Sequence, residues 1–234
     1  CGCEPRAWHF EDALKVLMEP KAVIFDLDGT LTESGEGIIK AAIAGLAAVG
    51  RESGGTEKLQ KLIGPPLTEG FSEVYGLTED ECKEAVRAFR AYYETKGIFE
   101  NELYPGALNL LRTLRELGTA LYLATSKPEL QARRVLAAFS LTAYFKGIAG
   151  GDDTKDGGNK EKILARLVQT QAIPTAAAVM VGDRAYDICA ANALGIAGVG
   201  VTYGYGSREE LEKAGATHIV SSIDALTDLL LRDL

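Results

Sequence analysis

Asp26 and Asp28 stand one residue apart at the end of an apolar run, in the stretch KAVIFDLDGTLTES that covers residues 21 to 34. Val23, Ile24 and Phe25 read as a short buried strand. Alternate residues of a strand share a face, so the two carboxylates leave its carboxyl end close together. Carboxylates that close repel each other, and the arrangement requires a proton on one of them or a cation nearby. Elsewhere the chain offers Thr125 and Ser126 after the apolar run ALYLA, Lys160 after a glycine-rich loop, Asp183 after AAAVMVG, and Asp187 one helical turn later. Collected in one place, these residues supply an acidic cation site, hydroxyls and a countercharge, the parts that phosphoryl transfer uses.

In that chemistry Asp26 attacks phosphorus and holds it as an acyl phosphate, which splits one hard hydrolysis into two easier steps. Asp28 gives a proton to the leaving oxygen and later takes one from water. Asp26 and Asp183 hold a hard, oxygen-loving cation, for which Mg²⁺ is the natural candidate. Lys160 and the Thr125 hydroxyl stabilise charge on the phosphoryl oxygens. Gly29 lets the backbone approach the phosphate closely, and Thr30 and Ser126 join it as substrate contacts.

Some of these residues also have plainer roles. Ser126 and Glu129 have capping-box spacing and Pro128 suits a helix's first turn, so Ser126 reads equally as a helix cap. Ser207 with Glu210, in the stretch GYGS and beyond, reads as a cap alone. Asp152, Asp153 and Asp156 lie in a glycine-rich loop and read as solvated. A calcium loop is excluded at D-x-D-G, because the glycine comes too early, the twelfth position is Gly37, and a strand precedes the loop.

The elements that must position these side chains alternate regularly after residue 104. Strand-like TALYLATS, KGIAGGD, AAAVMVGD, IAGVGVT and HIVSS are separated by helical patterns such as YPGALNLLRTLRELG, whose Leu110, Leu111, Leu114 and Leu117 share a face. Such alternation predicts an α/β fold with a parallel sheet covered by helices. Ligands of such sheets bind beyond the carboxyl ends of the strands. Residues 35 to 102 break the pattern and read as helical throughout, with Thr78 and Glu81 at capping-box spacing. The expected organisation is therefore a sheet domain over 20–34 and 103–234, a helical insert over 35–102, and an N-terminal extension over 1–19. In that extension Phe10, Ala13, Leu14 and Leu17 have helical spacing, as of a helix docked on a surface.

Composition limits the partners. The chain has 234 residues, 25% of them charged and 47% apolar, with a net charge of -8, which argues against a nucleic-acid polymer as partner. A small anionic substrate needs only a local positive pocket. Four cysteines, Cys1, Cys3, Cys82 and Cys189, form no disulfide framework, and with no signal-peptide pattern or membrane-length apolar segment the expected compartment is the cytoplasm. A monomer or a homodimer is expected. His9 and His218 offer no histidine-based site, which leaves the chemistry to carboxylates, hydroxyls and lysine.

The motifs DLDGT (26–30), ATS (124–126), Lys160 and GDRAYD (182–187) resemble, in order, the four motifs of the haloacid dehalogenase superfamily. The insert between the first two resembles the helical cap of its phosphoglycolate phosphatase-like branch, and the TSKPE and GYGS stretches resemble members labelled phosphoglycolate phosphatase or 5′-nucleotidase. This resemblance implies a Rossmann-like core with an inserted C1-type cap, and a phosphatase using Mg²⁺. It implies Asp26 as nucleophile and Asp28 as acid/base, with Asp28 also binding the metal through its backbone carbonyl. Asp26 and Asp183 would be metal ligands, Asp187 an acid behind them, and Thr125 and Lys160 phosphate ligands. It also implies that the loop GPPLTEGF, with Gly64, Pro65 and Leu67, faces the substrate. Two alternatives use the same residues. A phosphomutase would use both aspartates, although the DGV and downstream histidine of similar mutases are missing here. A non-catalytic phosphate binder would have no need of a proton donor.

Overall fold

The computed structural model describes residues 16–17, 19–152 and 158–231. The docked-helix reading of Phe10, Ala13 and Leu14, the pair Cys1 and Cys3, and the loop carboxylates Asp153 and Asp156 fall outside these residues. The chain divides into two compact units, one formed by Cys1–Thr32 with Leu103–Leu234 and the other by Glu33–Glu102.

The first unit is built on a six-stranded parallel sheet. Its strands are β1 (Ala22–Phe25), β4 (Ala120–Pro128), β5 (Gly147–Gly151), β6 (Ala178–Gly182), β7 (Ala197–Val201) and β8 (His218–Val220). They lie in the order β5-β4-β1-β6-β7-β8, every pairing parallel. Numbered along the chain, that order is 3-2-1-4-5-6, the doubly wound arrangement. It reverses direction at β1, so the switch point opens at the carboxyl end of that strand. β1 is AVIF and wholly buried, and β6 is AVMVG and wholly buried, the continuous apolar runs that a sheet covered on both faces demands.

Between the strands run α5 (Ala107–Glu116), α6 (Glu129–Ala138), α7 (Lys160–Gln171), α8 (Ala185–Ala193) and α9 (Arg208–Lys213), and α10 (Ile223–Leu230) follows the last strand. One core cluster joins Ile24, Ala124 and Met180 of the sheet to Ile163, Leu164 and Leu167 of α7 and Ala190 and Ala191 of α8. On α5, Leu110, Leu111 and Leu114 are buried as their spacing predicts, but Leu117 follows the helix and is exposed. Ser207 caps α9, its hydroxyl accepting the Glu210 N–H at 3.1 Å.

The second unit holds α1 (Gly35–Ala48), α2 (Thr56–Gln60), α3 (Leu67–Tyr75) and α4 (Glu79–Thr95). Leu46, Phe71, Phe89 and Tyr93 are buried in it. A Cβ on Gly45 would lie 2.7 Å from the Ala85 carbonyl oxygen, so glycine permits the close approach of α1 to α4. Thr78 and Glu81 form the expected capping box at the start of α4. The chain leaves the sheet unit through β2 (Thr32–Glu33) and returns through β3 (Glu102–Leu103), two short strands that pair with each other. Among the described residues no helix is long and apolar enough to cross a membrane.

Candidate active site

Three strands that meet around the switch point deliver the first side chains. β1 ends at Phe25, and Asp26 follows it, 8% exposed. β4 carries Thr125, buried, and β6 is followed at once by Asp183, fully buried. Lys160 is the first residue of α7, started by Asn159, whose side chain accepts the Lys162 N–H at 3.0 Å. Asp187 is the third residue of α8 and accepts the Arg184 N–H at 3.1 Å on Oδ2.

Lys160 is buried among acceptors. Its Nζ lies 2.8 Å from Asp26 Oδ1 and 2.8 Å from Asp187 Oδ1, and it donates to the Ala124 carbonyl at 2.8 Å. An ammonium has three N–H bonds, and here three acceptors surround it. Burial works against its charge, but Asp187 and Asp26 beside it more than compensate and hold its pKa above the usual lysine value.

Asp26 is pushed up to about 6, by burial first, with Lys160 pulling it back and the negative charges of Asp187 and Asp28 adding to the rise. The Asp183 carboxyl is raised well above its ordinary value by burial and then by Asp187 and Asp26, against the Tyr205 N–H and the Arg184 charge.

Asp28 has a different partner. Lys127, near the end of β4, brings its Nζ to 2.6 Å from Asp28 Oδ2, with both side chains largely buried. The repulsion between the neighbouring carboxylates is thus met by one lysine each, Lys160 for Asp26 and Lys127 for Asp28. Sequence reasoning identified only the first. Lys127 follows directly on the polar end of the ALYLATS strand, and that position at the carboxyl edge of a parallel sheet was the available signal.

Contacts that the sequence reading did not assign surround Asp183. The Tyr205 N–H donates to its Oδ2 at 2.8 Å and the Thr30 hydroxyl to its Oδ1 at 3.5 Å. Gly29 has φ +80°, and a Cβ there would overlap the Asp183 carboxyl group. A Cβ on Gly204 or Gly206 would overlap Asp183 or its surroundings in the same way. Tyr203 donates its hydroxyl to the Thr30 carbonyl at 2.9 Å and meets Tyr104 edge-on at 4.9 Å. The stretch YGYGS therefore caps α9 through Ser207 and also wraps Asp183 through the residues before it.

Of the expected substrate contacts, Gly29 and Thr30 turn inward. The Gly29 N–H donates to the Thr32 carbonyl at 2.8 Å, and the Thr30 hydroxyl faces Asp183. Ser126 is half-buried and does not cap α6, which begins after Pro128 without a side-chain cap, because β4 runs on through that position. Gly64, Pro65 and Leu67 belong to the helical unit, at the start of α3.

Asp26, Asp183 and Asp187 each offer an oxygen within 4.8 Å of the others, the one such cluster found among the described residues. The Asp28 side chain is outside it. Four carboxyl groups (Asp26, Asp28, Asp183, Asp187) face two ammonium groups (Lys127, Lys160), an excess of acidic oxygens that suits a divalent cation. Burial first, and the neighbouring carboxylates after it, raise Asp26 and Asp183, and a divalent, oxygen-preferring cation would favour their ionised forms.

A sequence model described as haloacid dehalogenase-like hydrolase matches residues 23–201. A 5′-nucleotidase of Pseudomonas aeruginosa is 36% identical over 208 residues, covering 89% of this chain and 94% of its own. Phosphoglycolate phosphatase 1 of the same organism is 32% identical, covering 90% and 79%. Tyrosine-protein kinase PtkA of Mycobacterium tuberculosis is 38% identical, covering 90% and 72%. Among solved structures, the crystal structure of a predicted phosphatase from Clostridium acetobutylicum superposes with a TM-score of 0.87 at 39% identity, covering 92% of this chain and 99% of that one.

Proposed function

From its membership of the haloacid dehalogenase-like hydrolases, the family to which this chain belongs and in which it is a phosphatase, we propose that it hydrolyses a small phosphomonoester through an aspartyl-phosphate. One observation carries the reading: Asp26, at the switch point of the sheet, is buried, paired to Lys160, and flanked by Asp28, which has a lysine of its own. Lys160 keeps the Asp26 carboxylate available as nucleophile. Asp26 forms the new bond to phosphorus as the bond to the ester oxygen breaks, and Asp28 protonates that leaving oxygen. Asp28 then removes a proton from the water that cleaves the acyl phosphate. Thr125 holds a phosphoryl oxygen.

Asp26 and Asp183, with the Asp28 carbonyl, would hold Mg²⁺, and the ion when bound supplies positive charge to the phosphoryl oxygens. Asp187 acts through Lys160 and the Arg184 amide, which occupy its two oxygens. The relatives named 5′-nucleotidase and phosphoglycolate phosphatase point to nucleoside monophosphates and phosphoglycolate as first substrates, read by the helical unit through Gly64, Pro65 and Leu67. The cytoplasm is the compartment proposed, and monomer or homodimer the state.

The test is phosphate release from phosphoglycolate, nucleoside monophosphates, sugar phosphates and p-nitrophenyl phosphate, with Mg²⁺ or chelator, in the native protein and in Asp26→Asn. Expected is Mg²⁺-dependent release that falls to background in the variant. Near-native release in Asp26→Asn would sink the mechanism. ATP with a tyrosine peptide completes the panel, because one relative is named a kinase, and phosphate transfer to the peptide without ester hydrolysis would replace the phosphatase reading.

A further inference from the structure

Lys127 owes its position to an irregularity in the sheet. β4 pairs with β5 in register up to Ala124 opposite Ala149, and pairing resumes at Pro128 opposite Gly151. Three residues of β4, Thr125, Ser126 and Lys127, thus face one residue of β5, Gly150. A bulge of this kind bends the strand and redirects its side chains.

The bulge is fixed on both sides. The Lys127 N–H donates to the Thr125 hydroxyl at 3.3 Å, the Gly150 N–H donates to Glu129 Oε2 at 3.4 Å, and Arg166 donates to the Gly150 carbonyl at 2.7 Å. A Cβ on Gly150 would lie 2.5 Å from the Glu129 Cα, which ties the start of α6 directly against β5. The Lys127 side chain is only 6% exposed, so its contact with Asp28 is not a solvated surface pair. Asp28 is held on Oδ2 alone, and its buried Oδ1 has no hydrogen-bond partner.

We propose that Lys127 is a positioning residue for Asp28: its ammonium fixes Oδ2 and thereby sets Oδ1 as the oxygen that exchanges a proton with the leaving group and with water. The proposal rests on the phosphatase reading given above. In the first step the bond between phosphorus and the ester oxygen breaks, that oxygen keeps the electron pair, and the proton on Asp28 Oδ1 goes to it while Asp26 takes the phosphoryl group. Without Lys127 the Asp28 carboxylate loses its anchor and turns away from that geometry.

The test compares phenyl phosphate with p-nitrophenyl phosphate, esters of nearly equal shape whose leaving groups differ in their need for a proton. In Lys127→Met, kcat on phenyl phosphate is expected to fall about 100-fold and on p-nitrophenyl phosphate less than about tenfold, the size of a lost general acid on one substrate only. KM changes little on either, and Lys127→Arg recovers part of the loss. Equal falls in kcat overturn the proposal, as does a rise in KM on both esters with kcat kept, which would make Lys127 a phosphate ligand instead. Unchanged kinetics overturn it too.

A crystal structure of Lys127→Met, or of Lys127→Gln should the first variant not fold, gives a readout independent of turnover. A displaced Asp28 carboxylate supports the proposal and an unmoved one overturns it. If the native protein hydrolyses neither ester, the phosphatase reading fails by itself, and the Asp28 position still decides the role of Lys127.

Discussion

At the scale of single residues, each carboxylate of the site is held by an atom that the chain places for it. Asp183 is the most fully enclosed, with Thr30 on one oxygen and the Tyr205 N–H on the other, and glycines 29, 204 and 206 where any side chain would strike it. Partners behind a metal ligand set its orientation and so its affinity for the ion. Gly204→Ala is therefore expected to lower Mg²⁺ affinity about tenfold or more, measured by titration calorimetry, while the α/β circular dichroism spectrum is retained. An unchanged affinity would mean that the loop serves packing alone. The sequence displayed the carboxylates because aspartate after an apolar run is rare in a core. It hid Lys127 and Tyr205 because a lysine and a backbone N–H look the same in sequence whether they face solvent or a buried acid.

At the scale of elements, the positions of strands and helices were legible from periodicity, since β1 and β6 are uninterrupted apolar runs and α5 has a clear buried face. What periodicity does not encode is where a strand refuses to stop. Ser126, Pro128 and Glu129 carry a helix-start signal, and α6 does begin at Glu129, but pairing with β5 resumes at Pro128 and the strand keeps Ser126 from the cap position. Thr78 and Glu81 carry the same kind of signal with no strand competing, and there the capping box forms. The contrast is measurable. Thr78→Ala should cost about 1 kcal/mol in denaturant unfolding, the usual value of an N-cap, whereas Ser126→Ala should cost no cap energy at all. A Ser126→Ala loss as large as that of Thr78→Ala would place a cap at Ser126 after all.

At the scale of the whole molecule, the sheet unit holds every carboxylate of the cluster and both lysines, so its stability and its ion binding are linked. Asp26 has its pKa raised to about 6, above the value of an unfolded aspartate, so it favours the fold in its protonated form. That contribution is fully present below the unfolded pKa and is lost as pH rises through about 6. Asp183, also raised, acts in the same sense. A divalent cation reverses the balance, because it binds the ionised carboxylates and must displace protons from them at low pH. Mg²⁺ at about 100 times its Kd would stabilise the native state by about 2.7 kcal/mol, or about 5 to 10 °C in Tm for a chain of this size. Differential scanning calorimetry should show that shift at pH 7.5 and a smaller one at pH 5, below the raised value of Asp26. Asp183→Asn should remove the shift at either pH. An equal shift at pH 5 and 7.5 in the native protein would move the ion away from these carboxylates, and with it the electrostatic half of the proposed phosphoryl transfer.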